Sequence, residues 1–228
     1  MSITNEQTQP MLILASGSPR RRDLLGLLGL PFTVQPSEVD EGNDADETAA
    51  AMVSRLSQAK AQALLTQTRS GLIIAADTTV CLDGEVLGKP TDPVDAAKML
   101  RRLRARAHVV FSSVTLMDAK TGWMRSELAE SQVWMRNYSD EEIAAYVTSG
   151  DPLDKAGSYA IQYADFRPVA CIVGCYANVM GFPLCHLYCM LREAHLAPAE
   201  APVAACDRFN RRRCDVATAI LGKVCESK

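Results

Sequence analysis

Apolar positions recur along the chain with two different spacings, and their succession predicts an α/β fold. The continuous run Leu12–Leu14 is typical of a buried strand, whereas Leu24, Leu25 and Leu28 recur at the spacing of a helix. Small and turn-forming residues separate segments of the two kinds. Because predicted strands alternate with helices and some strands are joined by tight turns, we expect a mixed sheet flanked by helices.

The same pattern predicts the order of the elements and the division of the chain. We expect helices at 19–29, 46–68, 93–104, 139–149 and 184–196. We expect strands at 11–15, 32–37, 108–117, 126–137, 159–162 and 169–177, with a hairpin within 71–90. Residues 1–10 are interpreted as a flexible N-terminus, 11–197 as one domain, and 198–228 as an appended extension with one short helix.

The hairpin brings two charged residues together. Asp83 and Gly84 stand between two alternating runs and are the residues that two-residue hairpin turns prefer. Counting back from such a turn places Thr78 opposite Lys89. Asp77, at the end of the apolar run IIAAD, then neighbours Lys89 at the open end of the hairpin, and open α/β sheets bind ligands at strand ends. The pair fits metal–phosphate chemistry, or it is a surface ion pair.

Three arginines open the first predicted helix. Arg20, Arg21 and Arg22 directly follow Ser18 and Pro19, which are typical of a helix start. A helix start carries unpaired N–H groups and a partial positive charge, so cations there are unfavourable by about 0.3–1 kcal/mol. A bound polyanion reverses that sign, because guanidinium groups and backbone donors suit phosphate oxygens. The arginines therefore bind phosphate, or they bend away into water.

Other charged segments leave two interpretations open. Asp40 and Glu41 lie in an acidic loop, whose oxygen atoms suit Mg²⁺ when they are not simply solvated. Lys60 interrupts an alanine-rich helix, where a lysine usually reaches into solvent. The stretch 150–162 is dense in turn formers, and Gly157 there permits close backbone approach. This stretch binds a ligand or merely turns the chain.

Composition narrows the classes of function. Of the 228 residues 48% are hydrophobic, and the net charge of −3 disfavours a general nucleic-acid binder despite basic runs at 101–108 and 211–213. Without a long apolar segment or a signal-peptide pattern, we expect a cytoplasmic protein with no membrane partner. Of the eight cysteines, Cys171, Cys175, Cys185 and Cys189 lack zinc-knuckle spacing and are expected to pack as small apolar side chains. The three cysteines of the extension, Cys206, Cys214 and Cys225, are expected to be free or oxidisable. The remaining inventory of carboxylates, lysines and arginines fits phosphoryl chemistry with a metal ion.

Six stretches of the chain resemble, in order, the Maf family of nucleoside triphosphate pyrophosphatases. They span about residues 11–196 and read LASGSPRRRDLL, VDE, SQAKA, AADTTVCLDGEVLGKP, DKAGSYAIQ and NVMGFPL. The resemblance implies an elongated mixed sheet flanked by helices, with two lobes around a central cleft, as in the related inosine-triphosphate pyrophosphatases. Within the family, DKAGSYAIQ is similar to the branch that acts on dTTP and UTP.

The resemblance also implies a reaction and a set of residues. The implied reaction is hydrolysis of a nucleoside triphosphate to monophosphate and pyrophosphate, in a homodimer, with Mg²⁺ or alternatively Mn²⁺. Asp77, Lys89 and Glu41 are the implied catalytic residues, and Asp77 with Glu41 or Asp40 are the implied metal ligands. The implied substrate-binding residues are Ser16, Arg20, Arg21, Lys60, Asp154, Lys155 and Gln162.

Two other functions stay open on the sequence alone. The family takes its name from septum formation, so one alternative is a nucleotide-binding regulator of division without turnover. Another is an RNA-binding module through the basic runs, although no aromatic residues interleave with them. The chain also departs from the family pattern: 104–108 reads RARAH where Ser-Gly-Arg-x-His is usual, and FSSV has serines where threonine is common.

Overall fold

A computed structural model describes residues 10–42 and 47–225. Almost all of the predicted flexible N-terminus, part of the acidic loop and the last three residues therefore lie outside the described residues. The strands are β1 Leu12–Leu14, β2 Phe32–Val34, β3 Leu72–Leu82, β4 Glu85–Leu87, β5 Ala107–Asp118, β6 Met124–Met135 and β7 Val169–Val173. The helices are α1 Pro19–Gly26, α2 Ala49–Ala63, α3 Pro93–Leu103, α4 Asp140–Thr148, α5 Tyr176–Val179, α6 Leu184–Glu193, α7 Pro202–Asn210 and α8 Ala217–Cys225.

One mixed sheet runs through the molecule, as the alternation of strands and helices predicted. Its strands lie in the order β2-β1-β3-β5-β6-β7, with β4 paired to β3. The first three are parallel and joined through helices, whereas the pairs from β3 to β7 are antiparallel. Apolar clusters cover both faces: α1 and α6 pack on one face around Phe182, and α2 packs on the other around Ile73.

The edge of β3 contains a gap, and this gap positions the candidate site. At its start, β3 pairs with β1 over Leu72–Ile74, and at its end it pairs with β4 over Val80–Leu82. Residues 75–79 between these ladders pair with β5 alone among the described strands. Asp77 was predicted at the end of a strand, but it lies in the middle of β3. It is reachable because β1 ends beside it and β4 has not yet begun.

The β3–β4 hairpin forms as predicted near its turn and differs from the prediction further away. Asp83 and Gly84 both have positive φ, 53° and 85°, as a turn compatible with strand twist requires. The predicted pairing of Thr78 with Lys89 does not form, because β4 ends at Leu87. Lys89 instead lies in the loop that follows β4.

Local capping signals located several helices correctly. Ser139 and Glu142 form the predicted capping box of α4, and Gly150, with φ of 75°, follows the end of that helix. Asp92 caps α3 by accepting a hydrogen bond from the N–H of Asp95 at 2.8 Å. Helix α2 spans Ala49–Ala63 after its Thr48 cap, so it ends before the predicted boundary at 68, while position 46 lies outside the described residues.

Three predictions about the second half of the chain were wrong. The stretch 159–162 was expected to be a strand, but it follows two short 3₁₀ helices and turns. The extension contains two helices rather than one, and Cys206 and Ile220 from them pack against the α1–α6 cluster. Cys175 and Cys185 are buried free thiols as expected, whereas Cys171 is exposed and Cys189 is disulfide-bonded. No helix among the described residues has the length and apolar character needed to cross a bilayer.

Candidate active site

A cavity of about 710 Å³ opens at the gap in the β3 edge. It is bounded by the β1–α1 turn, α2, the β3–β4 hairpin, the loop before β7 and the turn after α5. Ten sequence-predicted site residues line it: Ser16, Arg20, Arg21, Glu41, Lys60, Asp77, Lys89, Asp154, Lys155 and Gln162. Residues separated by up to 146 positions thus meet in one place, while their individual roles stay predictions.

Asp40 is the one predicted site residue that is not in the cavity lining. It is exposed, and its Oδ1 accepts a hydrogen bond from the N–H of Gly42 at 2.9 Å. This contact holds the local turn of the acidic loop. Its predicted role as a metal ligand gains no support from this position, whereas its neighbour Glu41 points into the cavity.

Arg21 is held on three sides at the start of α1. Its Nε donates to the carbonyl of Gly181 at 3.0 Å, and its terminal nitrogens donate to Ser16 Oγ and Thr78 Oγ1, each at 3.3 Å. Burial lowers the pKa of Arg21, the charge of Asp77 opposes that effect, and Arg20 lowers the pKa further. The guanidinium is therefore fixed at the cavity wall in a partly desolvated position, where an anion would gain most from it.

The other two arginines of this turn differ from each other in position. Arg20 lines the cavity, whereas the side chain of Arg22 is 59% exposed and lies 3.9 Å from Asp23. The first turn of α1 contains no acidic residue, and Ser18 makes no side-chain cap. The helix start is consequently left with its own positive end and two cavity-facing arginines, an arrangement that favours a bound anion.

Lys60 links the two carboxylates at the centre of the cavity. Its Nζ lies 2.5 Å from Asp77 Oδ1 and 2.7 Å from Glu41 Oε1. Lys60 is only 8% exposed, so the expected solvent-facing lysine is instead buried against the sheet. Glu41 Oε2 also lies 3.5 Å from Lys89 Nζ. Lysine and carboxylate groups therefore alternate from Asp77 through Lys60 and Glu41 to Lys89.

Electrostatics keep Glu41 ionised. Partial burial pushes the pKa of Glu41 upward, but the hydrogen bond and charge of Lys60, together with Lys89, outweigh burial and hold that pKa below its usual 4.5. A carboxylate that stays ionised at neutral pH is an acceptor for cations and for water protons.

The loop 150–162 closes the cavity opposite α1. Lys155 Nζ donates to the Asp151 carbonyl at 2.5 Å and to Asp154 Oδ1 at 2.6 Å, which fixes the loop internally. Burial raises the pKa of Asp154, but the hydrogen bond and charge of Lys155, with Arg20, bring that pKa below its usual value. Gly157 meets Val80 so closely that an added Cβ would lie 2.9 Å from Val80 Cγ2. The close approach predicted for this glycine is confirmed.

The cavity lining also contains apolar residues that the sequence analysis did not identify. Met52, Leu56 and Val86 belong to one apolar cluster, and Tyr159 belongs with Val80 to another. The Tyr159 hydroxyl is hydrogen-bonded to His108 Nε2 at 2.7 Å, and burial lowers the pKa of His108 to about 4. Apolar residues in the same cavity as charged ones suit a ligand with one flat apolar part and one anionic part.

Positive charge predominates in the lining. Five cationic side chains and three carboxylates face the cavity, an excess of two positive charges in a chain whose net charge is −3. Local charge of this sign attracts a polyanion even though the whole protein would repel one.

The donor set fits a magnesium ion that arrives with phosphates. No group of three or more His, Cys, Asp or Glu side chains in the described ranges 10–42 and 47–225 is arranged to hold a metal by itself. Mg²⁺, however, is commonly held by one or two carboxylates together with substrate phosphates and water. Asp77 and Glu41 supply two such carboxylates on either side of Lys60.

Sequence reasoning missed the residues that position others. Thr78 and Gly181 bond to Arg21, and Gly181 has φ of +97° with an added Cβ 3.1 Å from Thr78 Oγ1. The glycine in NVMGFPL was part of the resemblance, but only the fold shows that it meets α1 across 160 residues.

Comparisons with known proteins agree with this geometry. A family model described as Maf-like protein matches residues 11–194. A dTTP/UTP pyrophosphatase of Dictyoglomus turgidum is 44% identical over 183 residues, which cover 80% of this chain and 95% of that protein. A dTTP/UTP pyrophosphatase of Moorella thermoacetica is 46% identical over 173 residues, covering 76% and 89%.

Among solved structures, the Staphylococcus aureus Ham1 protein aligns with a TM-score of 0.40 and 15% identity, over 56% of this chain and 72% of that one. The family model spans most of the chain, including every cavity-lining residue, and the identities are well above 30%. The chain belongs to the Maf-like family.

Proposed function

We propose that the protein hydrolyses nucleoside triphosphates, dTTP and UTP among them, to the nucleoside monophosphate and pyrophosphate. The observation that carries the proposal is the meeting of Arg21 at a helix start and Asp77 at the sheet gap in one cavity. The names of the 41–46% identical relatives support the choice of substrate. A pool-cleaning role toward modified pyrimidine nucleotides is part of the same proposal.

The cationic wall binds the phosphates. Arg20 and Arg21 at the start of α1, with Lys89 across the cavity, face a space large enough for a triphosphate. Their charges reduce the repulsion between phosphate oxygens and an incoming nucleophile, and they balance the charge that the leaving pyrophosphate gains. The apolar lining residues Tyr159 and Val80 then receive the base and sugar.

The carboxylates orient the attacking water. Asp77 is the residue proposed to accept a proton from water, since its oxygen atoms lie beside the cationic wall in the open part of the sheet. Lys60 holds Asp77 in place through the 2.5 Å contact between Nζ and Oδ1. The water oxygen forms a bond to the α phosphorus, and the α,β bridging bond breaks to release pyrophosphate.

A divalent metal ion is part of the proposal. Asp77 and Glu41 are the residues that would hold it, with phosphate oxygens completing its shell. When bound, Mg²⁺ supplies positive charge to the phosphate oxygens and lowers the barrier to attack. Homodimerisation and a cytoplasmic location, which the family resemblance implies, stay predictions.

Measurement of turnover distinguishes this enzyme from a nucleotide-binding regulator. The purified protein is incubated with dTTP or UTP and Mg²⁺, and monophosphate and pyrophosphate are quantified together. We expect the two products in equal amounts and their loss in Asp77→Asn. Tight nucleotide binding without product would favour the regulator.

A further inference from the structure

A closed ring of hydrogen bonds runs behind the cavity wall. Arg21 donates to Thr78 Oγ1 at 3.3 Å, and Thr78 Oγ1 lies 2.8 Å from Ser112 Oγ. Ser112 Oγ donates to the Asn178 carbonyl at 3.0 Å, and the N–H of Gly181 donates to that same carbonyl at 2.8 Å. The Gly181 carbonyl accepts from Arg21 Nε at 3.0 Å, which closes the ring.

The chemistry of the ring's members fixes the direction of every bond. A guanidinium has only donors and a carbonyl only accepts, while each hydroxyl has one proton. Since Ser112 gives its proton to the Asn178 carbonyl, Thr78 must give its proton to Ser112. Thr78 then has only lone pairs toward Arg21. Its hydroxyl therefore acts as an acceptor for Arg21, and its proton points away from the cavity.

Ser112 occupies a special place in this ring. It is fully buried, with 0% exposure, and it is not among the cavity-lining residues. Its effect on a ligand must therefore pass through Thr78 and Arg21. Asn178 is equally buried, and its side-chain amide donates to Val110 O at 3.2 Å and Ser131 Oγ at 2.8 Å, which fixes the far end of the ring to β5 and β6.

We propose that Ser112 is a positioning residue for the phosphate-binding arginine. It orients the Thr78 hydroxyl as an acceptor, and the oriented hydroxyl, with the Gly181 carbonyl, aims the Arg21 guanidinium into the cavity. The inference deepens the proposed function and rests on it, because it assigns Arg21 to the phosphates. Without Ser112 the Thr78 hydroxyl can rotate, and Arg21 loses one of its three fixed partners.

The test is a double-mutant cycle read by binding, without turnover. Affinity for inorganic tripolyphosphate is measured by titration calorimetry for the wild type, Ser112→Ala, Arg21→Gln and the double variant. We expect Ser112→Ala to weaken binding about 10-fold and to have less than about a 2-fold effect in the Arg21→Gln background. An unchanged affinity in Ser112→Ala, or an equal loss in both backgrounds, overturns the inference.

Thr115→Ala is the matched control. Thr115 lies on the same strand and is fully buried, and its hydroxyl bonds to Ser57 and Ser126, each at 2.8 Å, outside the ring. We expect a thermal destabilisation similar to that of Ser112→Ala with unchanged tripolyphosphate affinity. A loss of affinity as large as that of Ser112→Ala would show a general packing effect and overturn the positioning role.

A second pair of variants tests the acceptor role of Thr78. Thr78→Val keeps the shape and removes the oxygen, whereas Thr78→Ser keeps the hydroxyl. We expect weakened tripolyphosphate binding for Thr78→Val alone, and equal binding by both would overturn the role. None of these binding assays needs hydrolysis, so failure of this inference can be told from failure of the proposed function. If Ser112 and Arg21 are coupled in tripolyphosphate binding but no pyrophosphate is released from dTTP or UTP, the proposed function is refuted and the positioning role of Ser112 stands. If pyrophosphate is released but the two residues are not coupled, the positioning role is refuted and the proposed function stands.

Discussion

Lys60 Nζ lies 2.5 Å from Asp77 Oδ1, and both residues are more than nine-tenths buried. The same nitrogen contacts Glu41 at 2.7 Å, so one ammonium pairs with two carboxylates. Removal of one member of a buried ion pair leaves the other uncompensated, which is more damaging than loss of an exposed pair. Lys60 therefore contributes to the stability of the fold at the cavity.

Lys60→Met is expected to lower the free energy of unfolding by about 3 kcal/mol at pH 7, because the charge of Asp77 stays buried without its partner. Urea denaturation measures the change. Lys89→Met is the control, since the Lys89 side chain is 60% exposed and 3.5 Å from Glu41, and its loss should change stability by at most about 1 kcal/mol. Equal effects of the two substitutions would show that Lys60 is not held in a buried pair.

Gly157→Ala is expected to destabilise the protein more than Gly122→Ala. Both glycines have left-handed φ, 67° and 74°, so both variants incur a backbone penalty of about 1 kcal/mol. An added Cβ at Gly157 also meets Val80 at 2.9 Å, whereas at Gly122 nothing lies within 4 Å. Thermal unfolding of the two variants isolates the steric part. Equal shifts in Tm would contradict the close contact between loop 150–162 and β3.

Ala105→Gly is expected to stabilise the protein by roughly 0.5–1 kcal/mol. Ala105 is exposed and has φ of 57°, and it stands where the family pattern has the glycine of Ser-Gly-Arg-x-His. Glycine adopts this conformation without strain, so the relief exceeds its greater unfolded-state entropy. Ala107→Gly, at the first residue of β5, is the control and should be destabilising. Destabilisation by both substitutions would show that Ala105 is not strained.

His108 is expected to give the protein a marked acid sensitivity. Burial lowers the pKa of His108 from 6.5 to about 4, so between these values the unfolded chain binds a proton that the folded chain does not. Stability therefore falls as pH decreases through this window, by about 2 kcal/mol between pH 7 and pH 5 from this group. Urea denaturation of His108→Gln at both pH values should show a smaller difference than the wild type. An unchanged difference would mean that folding does not lower the pKa of His108.

The sequence predicted the parts of the fold and of the site that depend on local signals. Small turn residues before Arg20, the Asp83–Gly84 turn and the capping box at Ser139 each act within a few residues, so their pattern determines the local structure. The same holds for Gly157, whose lack of a side chain was correctly linked to a close backbone approach.

What the sequence could not predict depends on contacts between distant elements. Asp77 was placed at a strand end because the run IIAAD ends in a charge. Strand β3 continues through Asp77 because β5 pairs with it from Leu72 to Cys81. Lys60 has the pattern of a surface lysine, and only the packing of α2 on the sheet buries it. Residues 159–162 have the apolar content of a strand but do not form one. The chain is fixed just before them, where the N–H of Gly157 donates to the carbonyl of Gly88 after the hairpin at 3.0 Å.

Hydrolysis of dTTP in ¹⁸O-labelled water, with Mg²⁺ and product masses read by mass spectrometry, tests the central claim most directly. If the cationic start of α1 and Asp77 direct water to the α phosphorus, one ¹⁸O atom enters the nucleoside monophosphate and the pyrophosphate stays unlabelled. Label in the pyrophosphate, or release of inorganic phosphate with a nucleoside diphosphate, would contradict this account of the cavity.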